Sequence, residues 1–208
     1  LSHYPNKYVR RGVAKNNNTH QDTLHKLSDD PHWEIRELVA SNNNTHQDTL
    51  HKLSDDPDKW VRHTVAKHNN IRQDTLTKLS DDHDEYVREL VASHNNTHKD
   101  ILHKLSDDPE LGVRWGVALN NNTHQDTLHK LSDHTDPLNT VSVRKAVASH
   151  KNTHQDTLHK LSDDPNLYVR KEIASNNNTH QDTLHKLASD PDLGIRRVAK
   201  QRLAQLTR

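Results

Sequence analysis

Apolar residues come in two alternating groupings with polar runs between them. Ile35, Val39 and Ala40 fall on one side of a 3.6-residue helix, and Leu50 and Leu53 do the same in the next stretch. Both groupings return at Val61, Val65 and Ala66 and then at Leu76 and Leu79, and no segment alternates with the period of a strand. The pattern predicts an all-α chain of about eight two-helix units. They start near Pro5, Pro31, Pro57, His83, Pro109, Pro137 and Pro165, and a C-terminal capping helix covers residues 191–208. Most steps are 26 residues. The intervals from Pro109 to Pro137 and from Pro137 to Pro165 are 28, which places extra residues around His134–Thr135 and Val141–Ser142. Such insertions cost little loop entropy and read as surface irregularities.

Each unit carries start and stop signals for two helices. In the second unit Asp30 can cap a first helix with Pro31 at its first position, and Asn42–Asn43–Asn44 ends it, because asparagine tolerates the left-handed conformation of helix ends. The second helix opens at Thr45 as N-cap with Asp48 three residues on, and Asp48 and Lys52 stand four apart as a surface pair.

Asp30-Pro31, Ile35-Arg36, Val39-Ala40 and Asn42, followed by Thr45, Leu50, Leu53 and Asp56, resemble the leucine-rich repeat variant family. The Asp and Val-Arg spacing is also similar to HEAT repeats. The resemblance covers nearly the whole chain and implies a right-handed α-solenoid, a superhelix of stacked helices. The chain departs from the family where a proline usually follows the second helix's cap, since His20, His46 and His98 stand there. The cysteine cluster of some such arrays is absent, so no iron–sulfur cluster is carried over.

Composition changes the picture only in part. At 29% hydrophobic residues and a mean hydropathy of −1.13 the chain would pass for disordered, but stacked repeats bury a thin core between neighbours. Lys plus Arg and Asp plus Glu both number 29, so no net charge points to a polyanion. With no cysteine, disulfides and thiolate chemistry are excluded. No apolar stretch approaches a membrane span and no leader opens the chain; a cytoplasmic monomer without membrane contact is expected. The chain begins without Met and reads as a segment of something larger.

Comparison of the internal copies locates a candidate site. The second helix is nearly constant, whereas the first keeps Val-Arg and Val-Ala and varies between them. The position of Glu34 holds Tyr8, Trp60, Tyr86, Gly112, Ser142, Tyr168 and Gly194 in other units. That of Glu37 holds Arg11, His63, Glu89, Trp115, Lys145, Lys171 and Arg197. These choices suit a face open to solvent or a partner, and helices roughly 8–10 Å apart would align them in a stripe. Trp33, Trp60, Trp115, Tyr86 and Tyr168 are the expected anchors and the mixed charges set register, which favours a protein or peptide partner; a nucleic acid read one nucleotide per unit, with Lys7, Arg11, Lys15, Lys59 and Lys67 on phosphates, is the alternative.

Other signals are read structurally. The constant Arg10, Arg36, Arg62, Arg88, Arg114, Arg144, Arg170 and Arg196 are expected to fork onto the aspartates that open units. His20 and His25 stand five apart on the second helix, so a unit does not present there the i, i+4 pair that a zinc site favours, and acid sensitivity is the expected consequence of the 20 histidines. The Asn-x-Thr triplets at Asn17, Asn43, Asn95, Asn121 and Asn177 fall in the constant turn and are expected to serve helix ends. No phosphate loop, nucleophile elbow or carboxylate pair stands out, so no enzyme, cofactor or metal is expected.

Overall fold

Helices of seven to nine residues are marginal alone, and here each apolar grouping before the 14-residue last helix folds as one such helix whose stability comes from its neighbours. The structure, a computed structural model, describes residues 5–133 and 141–206. The first four pairs are α1 (Lys7–Lys15) with α2 (Gln21–Leu27), α3 (Trp33–Ser41) with α4 (Gln47–Leu53), α5 (Lys59–Ala66) with α6 (Gln73–Leu79), and α7 (Glu85–Ser93) with α8 (Lys99–Leu105). They are followed by α9 (Leu111–Leu119), α10 (Gln125–Ser132), α11 (Val141–Ser149), α12 (Gln155–Leu161), α13 (Leu167–Ser175), α14 (Gln181–Leu187) and α15 (Leu193–Leu206). Among the described residues every regular element is a helix, and no helix is long and apolar enough to cross a membrane.

The chain divides into two units, Leu1–Ile101 and Leu102–Arg208. In the first, α1, α3, α5 and α7 pack in series with the even-numbered helices beside them; in the second, α9, α11, α13 and α15 do the same. The predicted seam is the core: Ile35, Val39, Ala40, Leu50 and Val61 are fully buried, and Leu53 nearly so. Each buried leucine removed from water is worth about 2 kcal/mol.

The arginine forks form between successive repeats. Arg36 Nε donates to Asp56 Oδ2 at 2.6 Å and Nη2 to Asp56 Oδ1 at 2.8 Å, while Nη1 donates to the Asp30 carbonyl of its own repeat at 2.8 Å. Arg10–Asp30 and Arg62–Asp82 repeat this in the first unit, as Arg144–Asp164 and Arg170–Asp190 do in the second. At Arg114 the rhythm changes: Nη1 reaches the Asp108 and Pro109 carbonyls, but the buried Nε has no partner among the described residues. The residue twenty positions on is His134, which lies outside them.

Commitment of the aspartate to the fork moves the helix start. Asp30 Oδ1 accepts from the His32 amide at 3.0 Å, and α3 begins only at Trp33, so neither Asp30 nor Pro31 takes the predicted capping positions. The cap sits two residues later, where Asn6, Asp58, Asp84 and Asn166 accept from helical amides. Thr45 is likewise not the cap of the second helix. His46 is, its Nδ1 accepting from the Asp48 amide at 3.3 Å, while the Thr45 hydroxyl turns back to the Val39 carbonyl at 2.5 Å. Thr97, Thr123, Thr153 and Thr179, each the last residue of its turn, make the same bond. Thr45→Val keeps the shape and deletes this buried bond, so it should cost about 1 kcal/mol, read as a lower urea midpoint at unchanged slope.

Asparagine also works by a different route from the one predicted. No described non-glycine residue has positive φ; Asn42 is extended at φ −76°. Its amide arms do the work: Oδ1 accepts from the Asn44 amide at 2.9 Å, and Nδ2 donates to the Ala14 carbonyl at 2.8 Å and the Asn16 carbonyl at 3.1 Å. Lys52 does not pair with Asp48 in its own helix but reaches Asp29 of the preceding repeat at 2.6 Å.

Val141 and Ser142 are not inserted residues. They open α11 as Leu111 and Gly112 open α9, so the extra residues precede Val141; His134–Thr135 lie outside the described residues. In α15, Ile195 and Ala199 are buried as the amphipathic pattern requires, whereas Leu206 is 58% exposed.

Candidate partner-binding face

Position on the first helix decides what a variable side chain can do. Tyr8, Trp60, Tyr86 and Tyr168 occupy the second residue of their helices and Trp115 the fifth; their exposures run from 43% at Trp115 to 78% at Tyr8. Because α1, α3, α5 and α7 pack in series, Tyr8, Glu34, Trp60 and Tyr86 form a row on the first unit. Trp33 stands one position earlier, at the first residue of α3, and is less exposed than its counterparts.

The row in the first unit is organised around His63, which is 7% exposed rather than open on the surface. Its Nε2 meets Asp84 Oδ1 at 2.9 Å, and its ring lies edge-on between Trp60, centroid 5.1 Å away, and Tyr86, at 6.3 Å. Asp84 also caps the Tyr86 and Val87 amides and lies 3.4 Å from Lys59 Nζ. Burial alone would raise its carboxyl; the bonds from His63, Lys59 and the Val87 amide overcome that and hold it down at about 2. Lys59 Nζ stands 5.5 Å from the centre of the Trp60 ring.

The acidic side chains differ in their surroundings. Glu34 accepts from Lys7 Nζ at 3.0 Å, and this bond lowers its carboxyl below the usual range. Half-buried Glu37 is raised, by burial first and then by the charges of Asp58 and Glu34. Glu89 is half-buried on α7, and Arg11 is exposed on α1. In the second unit Lys145 lies 3.6 Å from Glu172, and Lys171 is exposed on α13 beside Tyr168.

Sequence reasoning missed the residue just before each first helix. Asp58 and Asp84 cap their helices and charge the aromatic row, and the signal was present, since Asn6, His32, Asp58, Asp84, Glu110 and Asn166 vary at that position. It also missed how histidine is used. His25 Nδ1 meets Thr49 Oγ1 of the next repeat at 2.9 Å, and His51–Thr75 and His159–Thr183 do the same at 3.0 Å. Among the described residues no group of three or more His, Cys, Asp or Glu could hold a metal ion.

The chain is thus an all-α repeat array whose first helices keep their core and arginine positions constant and vary between them. Its second repeat, residues 33–58, matches the model of the leucine rich repeat variant family. Among curated proteins none matches the chain. Among solved structures it is similar to a leucine-rich repeat variant described as having a novel repetitive structural motif, at 21% identity and a TM-score of 0.48, over 98% of this chain and 89% of that one. It is also similar to a designed armadillo repeat protein, at 18% identity and a TM-score of 0.30 over 99% and 96% of the two chains. A second designed armadillo repeat protein, in complex with the peptide (KR)4, aligns at 18% identity and a TM-score of 0.25 over 98% and 95%.

Proposed function

We propose that this array is a non-enzymatic binding scaffold that recognises a protein or peptide through the variable side chains on the first helix of each repeat. One observation carries the reading: Tyr8, Trp60 and Tyr86 occupy one position of serially packed helices and remain exposed, while the constant residues of those helices are spent in the core and the arginine forks. Rigid aromatics on a fixed framework are what interface hot spots use. On the same first helices Glu34, Glu37, Glu85 and Glu89 would repel a phosphate backbone. That favours a protein partner over a nucleic acid.

The test is a selection of peptides from a random displayed library on the intact chain. The selected peptides are expected to lose about tenfold or more in affinity for a Trp60→Ala/Tyr86→Ala variant whose melting temperature is unchanged. Equal affinity for the variant would remove the aromatic row from the function.

A further inference from the structure

The first unit sets its aromatic row among the carboxylates Glu37, Asp58, Asp84, Glu85 and Glu89. Trp60 and Tyr86 flank His63 at interplanar angles of 79° and 68°, so the buried imidazole forms a floor with the two exposed rings as walls. One of the chain's own cations already uses this arrangement. Lys59 Nζ sits 5.5 Å from the Trp60 ring centre and 3.4 Å from Asp84, yet its side chain is 49% exposed, so the seat is shallow and its occupant exchangeable.

One helix earlier the matching place holds a carboxylate instead of an imidazole, and the cation that acts on Asp58 there, Arg36, is already committed to its fork with Asp56. Glu37 occupies in α3 the position of His63 in α5 and stands toward Asp58 as His63 stands toward Asp84. There the pairing is between like charges, with Glu34 close by, and burial together with these charges raises the Glu37 carboxyl. Lys7 is already bonded to Glu34. On α7, Glu85 and Glu89 add negative charge beside Tyr86. A cation brought by a partner would relieve the repulsion between Glu37 and Asp58 and meet the face of Trp60. An acidic peptide or a nucleic acid would add to that repulsion.

We propose that the α3–α5–α7 face of the first unit seats a basic segment of a partner protein, its arginine heads lying against Trp60 and Tyr86 with Glu37 and Asp58 as counter-charges. Arginine fits better than lysine because its planar guanidinium stacks on an aromatic ring while its edge bonds a carboxylate. The inference rests on the binding-scaffold reading and names the chemistry of the partner. Lys59 is then an internal stand-in that the arriving arginine displaces.

The experiment is fluorescence anisotropy on the full chain with three labelled probes: a Gly/Ser peptide interspersed with arginine, the same peptide with glutamate, and an oligothymidylate. The arginine peptide is expected to bind, to weaken about tenfold in Trp60→Ala and about threefold in Glu37→Gln, and to recover in Trp60→Phe. Lys59→Gln should tighten it, because the competing occupant is gone. Failure of the arginine peptide to bind, or binding that Lys59→Gln weakens or leaves unchanged, would overturn the proposal. If the glutamate peptide or the oligothymidylate binds instead and Trp60→Ala abolishes that binding, the aromatic row stands and the cation assignment falls. If no probe responds to Trp60→Ala or Tyr86→Ala, the scaffold reading falls with it.

Discussion

Asp56→Ala should lower the stability of the array by about 3 kcal/mol, whereas Asp55→Ala, one residue away, should cost less than about 1 kcal/mol. The two aspartates have the same chemistry and different partners. Asp56 has a side chain only 3% exposed, receives both arms of the Arg36 fork and accepts from the Asp58 amide at 2.9 Å. Its loss strands a guanidinium in a place where water cannot replace the carboxylate. Asp55 is 68% exposed and meets Lys78, a pair that solvent and side-chain entropy leave nearly worthless. Thermal melting should show the contrast as a fall on the order of 10 °C for Asp56→Ala and little change for Asp55→Ala. Asp56→Asn, which keeps the acceptor for the Asp58 amide, belongs between them. Equal melting temperatures for the Asp55 and Asp56 variants would mean that the forks do not hold the repeats together.

Acidification from pH 7.5 to 5 should lower the melting temperature by several degrees, and His68→Asn/His94→Asn/His150→Asn should remove most of that fall. These histidines stand where other repeats place Asn42, Asn120 and Asn176, and they imitate an amide. In His150, Nδ1 accepts from the Asn152 amide at 3.0 Å and Nε2 donates to the Asn120 carbonyl at 3.0 Å; His94 does the same with Asn96 and the His68 carbonyl, at 3.1 and 3.2 Å. Both neighbours are backbone groups with fixed roles, so a proton on Nδ1 would point at an amide hydrogen. Burial pushes all three below the ordinary value of 6.5, against the opposing pull of the carbonyl each one bonds. A depressed folded value sets the sign: above 6.5 both states are neutral and nothing is lost, and as pH falls below it the unfolded chain takes protons first and stability drops. An acid-induced fall as large in the triple variant as in the parent would refute the assignment.

The sequence by itself determined the helices, their pairing and the seam between them. Ile35, Val39, Leu50 and Leu53 repeat with helical spacing often enough that only a stacked array can bury them, and the constant arginines could be read as ties. The exposed aromatics were legible too, because incompatible side chains at one position exclude a core. Tertiary structure alone decided which atoms each polar residue meets. Asp30, Thr45 and Asn42 were read from local rules as cap, cap and left-handed turn. Asp30 and Asn42 instead bond groups that the neighbouring repeat brings close, and Thr45 turns back to the Val39 carbonyl of the helix before it, because a buried polar group takes the partner that the folded backbone offers it over the one a capping rule suggests. His63 shows the same limit at the candidate site: its column marked it as exposed, and only the approach of α7 made it the buried floor between Trp60 and Tyr86.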